Sequence, residues 1–243
     1  MFAWQGIIKV YAVVPLILAF LVLWAFRDIG RTGYQEDRKP DLASQLRQAR
    51  RLLSINRLWW ITLVAGLRGM AFVSFVFFLP LYMSDKLGFG PLTWGLHLAL
   101  LQLVGILSTP IMGHLSDRYG RKQVLIPGMA FMALLTLLMV PFGQGFTFIV
   151  ILALLGIFLF SDQPILTAAA LDIAGEGVAA TTLGVLSLSR TVLSASSPLI
   201  AGALYQANFD YPFYYVAGVF ALAAFILLFL PLPKTQGGEL EAG

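Results

Sequence analysis

Residues 113–122 read Gly113-His114-Leu115-Ser116-Asp117-Arg118-Tyr119-Gly120-Arg121-Lys122, and they stand between two long apolar stretches. Upstream lies 92–112 (LTWGLHLALLQLVGILSTPIM) and downstream 124–142 (VLIPGMAFMALLTLLMVPF), neither with a single Asp, Glu, Lys or Arg. A helix crossing a hydrocarbon layer of about 30 Å needs about 20 mostly apolar residues. Two such runs joined by eleven residues, 113–123, carrying three cations describe a helix that leaves a membrane and another that re-enters it from the same side. That reading sets the fold class, and the rest of the chain extends it.

Five more apolar runs flank the pair, at 7–26, 58–82, 146–170, 181–205 and 212–232. They are continuous, without the alternation of barrel strands, so the fold expected is all-α, a polytopic membrane protein with seven transmembrane helices. Composition agrees. Of 243 residues, 59% are apolar and 12% charged, against about 25% charged in a soluble domain. Cysteine is absent, which excludes a disulfide framework, a thiol nucleophile and Cys-ligated metal. The first run has no small-x-small cleavage site after Phe26, and is read as a retained span.

The net charge of +4 is a matter of placement. With the N-terminus outside, the inner segments 27–57, 113–123, 171–180 and the tail from Pro233 hold eight, three, no and one Lys/Arg, while the outer loops hold only Lys86. By the positive-inside rule the N-terminus is outside and the C-terminus cytoplasmic. Trp24, Trp59 and Trp60 fall at inner ends, and Tyr82, Trp94, Tyr205 and Tyr211 at outer ones. The positive charge is a topology signal, so nucleic acid is not an expected partner, whereas membrane lipid is. Within 27–57, Leu42, Leu46, Ala49 and Leu53 recur at helical spacing with Arg47, Arg50 and Arg51 among them. This reads as a basic amphipathic helix on the inner surface or a solvated helical linker.

The ten residues of 113–122 resemble the signature of the major facilitator superfamily, G-x-x-x-D-R-x-G-R-[KR], at every specified position: Gly113, Asp117, Arg118, Gly120, Arg121 and Lys122. In that family the motif joins the second and third helices of a six-helix half on the cytoplasmic side. Here it joins the second and third helices of the unit starting at residue 58. The resemblance implies a gating role for these six residues. Gly113 spares a side chain where helices approach closely, Asp117 is suited to a helix N-terminus, and Gly120 permits the turn. Pro198 and Gly202 resemble the family's Pro-x-x-x-Gly and imply a helix kink.

The same resemblance implies a division of the chain. Residues 1–26 match the last helix of a first half, 27–57 the cytoplasmic central loop, 58–232 a six-helix C-terminal transporter half, and 233–243 a cytoplasmic tail. About five helices of the family pattern are not in the sequence. The expected partner is therefore a missing N-terminal half or a second copy. The implied function is secondary active transport of a small solute by alternating access, across the cytoplasmic membrane, with proton coupling as an option.

Three ionisable residues lie within spans at similar depth, roughly 12–15 Å from the inner ends: Arg68, Asp162 and Arg190. An unpaired charge there costs about 2.5–3.5 kcal/mol on insertion scales, so pairing or a wet cavity is expected. The resemblance places Arg68 and Asp162 on cavity-lining helices, with Gln163 beside them and Pro164 opening the backbone. Arg190 is expected to pair with Asp162 or to meet substrate. Two cations and one carboxylate favour an anionic or zwitterionic small molecule, and a fixed structural ion pair is the alternative. Ser187, Ser189, Ser194, Ser196 and Ser197 with Gly184 form a small-residue side on the sixth span, read as a packing face.

No metal or cofactor is expected, because no ligand cluster, phosphate loop or nucleophile–base pair occurs. The protein is therefore not expected to be an enzyme. A seven-helix receptor shares the helix count and the Asp117-Arg118-Tyr119 triplet, but no Asn-Pro-x-x-Tyr follows in the last span. A non-transporting membrane fragment is the other alternative.

Overall fold

A computed structural model of the protein describes residues 4–25, 55–175 and 178–232. The described residues form eight helices and no strand. They are α1 (Trp4–Ala25), α2 (Asn56–Asp85), α3 (Pro91–Tyr119), α4 (Arg121–Phe142), α5 (Gly145–Leu159), α6 (Asp162–Ala174), α7 (Ala179–Ala207) and α8 (Tyr211–Phe229). The all-α polytopic class expected from the sequence is the one observed. Six spans from residue 56 onward are long and apolar enough to cross a membrane, with α5 and α6 together making one of them, Gly145–Ala174. The basic helix expected after Pro40 and the tail 233–243 lie outside the described residues.

The chain divides into two compact units, Met1–Ser44 and Gln45–Gly243. The first contributes α1, a 22-residue apolar helix with Pro15 inside it. The second is a six-span bundle. Within it α2 packs most extensively on α7 and α8, α4 on α8, and α3 on α5. Its core is made of helix faces that interlock aromatic rings. Phe213 meets Tyr82 at 4.8 Å and Phe75 at 6.1 Å between ring centroids, both edge to face, a geometry that adds about 0.5–1.5 kcal/mol per pair beyond burial.

Tyr82 departs from the expected interfacial position. It is 1% exposed, because the end of α2 is covered by α8 and the ring packs into the core. Exposed Trp59 and Trp60 remain on the surface at the other end of α2.

The segment 113–123 also differs from expectation. It is no loop: α3 continues through Tyr119, and α4 begins at Arg121. Nothing in His114–Tyr119 disfavours a helix, so the helix carries its polar end out of the apolar layer. The whole reversal falls on Gly120, whose φ of 100° is strained for any residue with a Cβ.

Close crossings are made by glycines that no motif marks. A Cβ on Gly156 would lie 2.6 Å from the Leu101 carbonyl oxygen, and one on Gly66 2.2 Å from Leu193 Cδ1. Conversely, a Cβ on Gly113 would have nothing within 4 Å. The close approach expected at Gly113 is therefore not found among the described residues. The small-residue side of α7 packs within the bundle only in part, Ser194 and Ser197 facing α2 while Gly184, Ser187 and Ser196 do not. Gly184 has open space beside it, Ser187 and Ser196 are exposed, and only Ser197 is buried. Ser197 Oγ meets Ser74 Oγ at 2.7 Å and Tyr215 Oη at 3.0 Å, and donates to the Met70 carbonyl at 2.8 Å. One residue on, α7 runs through Pro198 without interruption, and Gly202 faces Phe78 at ordinary contact distance.

Candidate functional site: a broken helix, an ion pair and a polar cleft

The fifth span is two helices. α5 ends at Leu159 and α6 starts at Asp162, so the ladder breaks three to four residues before Pro164, the residue expected to open it. Pro164 sits in the first turn of α6, where its missing N–H leaves no bond unmade because the first N–H groups of a helix lack intrahelical partners. The break exposes carbonyls at the end of α5 that need donors. Ser161 Oγ donates to the Ile157 carbonyl, and Arg68 Nη2, from α2, donates to the Leu159 carbonyl.

Arg68 binds both sides of the break. Its Nε lies 2.9 Å from each carboxylate oxygen of Asp162, and its Nη2 lies 2.7 Å from Oδ1. Nη1 donates to Gln163 Oε1 at 3.1 Å. The guanidinium carbon stands 4.6 Å from the centre of the Phe72 ring, one turn along α2, at a range where cation–π attraction operates. Arg68 and Asp162 are 2% and 4% exposed. Two charges buried this deeply are tolerable only when paired and hydrogen-bonded, and all three nitrogens of Arg68 have partners.

A cleft of about 130 Å³ opens beside this group, between α2, α6 and α7. Arg68, Gln163 and Thr167 form its polar wall on one side, Ser187 and Arg190 on the other. Arg190 is half-buried. The structure pairs Asp162 with Arg68 and leaves Arg190 without an ion pair or hydrogen bond among the described residues. Of the expected site residues, Arg68, Gln163 and Arg190 line this one cleft, and Asp162 lies behind Arg68 as its partner, with Arg190 apart from the ion pair.

The signature motif forms a second cluster at the end of the bundle that also holds the α6 and α8 termini. Arg121 pairs with Asp117 at 2.5 Å and with Asp172, near the end of α6, at 3.1 Å, and Lys122 Nζ donates to the Leu228 carbonyl at 2.7 Å. The guanidinium of Arg118 lies 5.7 Å from the Tyr119 ring. Asp117 is 60% exposed, so one of its faces is open to a further donor. At the opposite end Lys86 pairs with Asp210 across α2 and α8, and Tyr205 Oη donates to Asp85 at 2.8 Å. Partial burial lowers the Lys86 pKa, but its bonds to Asp210 and Tyr82 outweigh that and hold it above the usual lysine value. The pairing of Arg121 with Asp117, four residues apart, was legible in the motif, whereas Asp172, the Leu228 carbonyl and the Lys86–Asp210 pair were not, since these join residues far apart in the chain.

The family model for the Major Facilitator Superfamily matches residues 1–192 and, in a second placement, 86–242. The chain belongs to the major facilitator superfamily. The probable sulfoacetate transporter SauU of Cupriavidus necator is similar, 26% identical over 229 residues, which are 89% of this chain and 53% of that protein. The probable nitrate/nitrite transporter NarK2 of Mycobacterium tuberculosis is 27% identical over 132 residues, 54% of this chain and 33% of that one. The chain spans about half the length of the first of these relatives or less of the second. As a facilitator chain it is an integral membrane protein related to transporters of small molecules. Among the described residues no group of His, Asp or Glu is arranged to hold a metal.

Proposed function

We propose that this chain is the second half of a secondary transporter that moves a small anion across the cytoplasmic membrane by alternating access. The observation that carries the reading is Arg190. It is a half-buried cation in the middle of the bundle, unpaired among the described residues and facing a polar cleft. Ionisable groups in spans are costly and mark substrate pathways. With Arg68 and Asp162 neutralising each other, the cleft keeps one net positive charge, and an anion is the complement. The substrates for which the relatives are named, sulfoacetate and nitrate or nitrite, are all anions.

The cycle needs a second half, because alternating access rocks one repeat bundle against another around a central site. Support comes from α7, which is the least buried span of the bundle and presents Ser187, Thr191 and Ser196 outward. The partner is a preceding six-helix half or a second copy. The exposed carboxylate of Asp117 and the cations Arg118, Arg121 and Lys122 form the gate on the cytoplasmic side, with Gly120 as its turn. Pro198 and Gly202 supply flexibility to α7 where it faces that half. Proton coupling is left out of this cycle, because Asp162, the carboxylate it would use, is engaged by two nitrogens of Arg68.

The test is uptake by vesicles containing the complete transporter. Concentrative uptake of radiolabelled sulfoacetate, nitrate or lactate, and none of choline, is the expected result. Uptake of cations alone would refute the assignment.

A further inference from the structure

The geometry points to a division of labour in the cleft: Arg190, seated against Gly69, is the residue that recognises one anionic group of the substrate, and the Arg68–Asp162 pair is a fixed clamp on the broken helix. This rests on the reading of the chain as an anion transporter and assigns its residues separate roles.

Two sets of contacts carry it. Arg68 has no nitrogen free of a partner: Nε holds Asp162, Nη1 holds Gln163, and Nη2 holds the Leu159 carbonyl that the helix break exposes. It is 2% exposed and capped by Phe72. An anion binding to it would have to displace Asp162 and leave that carboxylate buried and unpaired, the costly outcome for any buried ion pair. Arg190 has the opposite surroundings. It lines the same cleft, is partly accessible, and its guanidinium has no protein partner among the described residues.

The second contact is the seat. A Cβ on Gly69 would lie 2.8 Å from Arg190 Cγ, and 3.6 Å from both the Arg190 carbonyl oxygen and Ser194 Cβ. The stem of Arg190 therefore runs across the bare backbone of Gly69, where α2 and α7 approach. Arginine's planar fork is strongest when its stem is held, because less freedom is lost on binding. A carboxylate, sulfonate or nitrate presents the matching pair of oxygens. Gln163 gives only its Oε1 to Arg68, and Thr167 Oγ1 donates to the Gln163 carbonyl at 2.9 Å, so the Gln163 amide Nε2 and the Ser187 hydroxyl are the donors left beside the anion. The ligand class for this half is one singly charged oxyanion group on a small solute.

The test measures KM and maximal rate for sulfoacetate, nitrate and lactate in vesicles holding the complete transporter, with membrane abundance measured for every variant. Arg190→Gln is expected to raise KM by about tenfold to a hundredfold, the range for losing a charge-assisted hydrogen bond. Arg190→Lys keeps the charge but not the planar fork, and should recover only part of that loss. Gly69→Ala should raise KM in the same direction, through displacement of the Arg190 stem. The double variant Arg68→Gln/Asp162→Asn should lower abundance and rate while KM of the surviving protein stays within about threefold. If Arg190→Gln leaves KM within twofold, or the double variant loses affinity as much as Arg190→Gln does, the division of roles is overturned. Absence of uptake of all three anions by the wild-type transporter would instead overturn the anion-transport reading itself.

Discussion

Arg68 and Asp162 illustrate how a single residue's surroundings decide its role. Removing one member leaves the other buried without a counter-charge, a change that typically costs about 3–5 kcal/mol. Arg68→Met or Asp162→Leu alone is therefore expected to lower the thermal unfolding temperature of the detergent-purified protein sharply. The double variant Arg68→Met/Asp162→Leu removes both charges and should regain a substantial part of the loss, because well-packed apolar replacements of a buried pair are often close to neutral. Equal destabilisation by the double and the single variants would contradict the clamp. That these charges would group near mid-membrane was legible from their depth. Which of the two arginines would hold Asp162 was not, because the choice depends on rotation of α2 and α7 about their own axes.

At the scale of elements, helix contacts rather than propensities explain the bundle. The crossing of α3 and α5 is closed by Gly156, whose missing Cβ would sit 2.6 Å from a backbone oxygen. Backbone cannot swing aside as a side chain can, so Gly156→Ala is expected to cost about 1–3 kcal/mol through overpacking. Gly66→Ala meets only the end of Leu193, and should cost less. Paired thermal unfolding of the two variants checks the order. The tie between α2 and α8 through Lys86 and Asp210 has a pH signature. The folded pKa of Lys86 is raised, so its contribution is complete below the ordinary lysine value and disappears as pH rises through the folded one. Protection of amides near Asp210 from hydrogen exchange should therefore decline in the alkaline range, and Asp210→Asn should abolish that pH dependence. The sequence showed most helix ends to within a few residues, but ended at 112 a span whose helix runs on to Tyr119. Pro164 pointed to an opening of the fifth span, and the break falls at Phe160–Ser161, where the carbonyl four residues before the proline loses its partner. That Arg68 would hold the break was not legible, because it lies on another helix.

For the molecule as a whole, the alternation of helices puts the motif cations, Asp172 and the Leu228 carbonyl at one end of the bundle and Lys86 with Asp210 at the other. The proposed orientation, with the cation-rich end cytoplasmic, can be tested directly in a chain that has no cysteine. A cysteine at Asn208 should react with an impermeant maleimide added to intact cells, and one at Tyr119 only after the membrane is opened. The reverse pattern would invert the orientation.

The sequence by itself determined the class, the number of spans and the family, because apolar length, charge placement and a ten-residue motif are properties of consecutive residues. It also narrowed the candidate site to a handful of side chains, since charge in a membrane is too costly to be incidental. Only the tertiary structure decided how those charges are shared. Arg68, Asp162 and Arg190 are separated by dozens of residues, and their pairing follows from how helices rotate and how closely glycines let them approach. One arginine is locked to a broken helix and the other left facing the cleft because packing geometry, and not composition, controls which donors meet which acceptors.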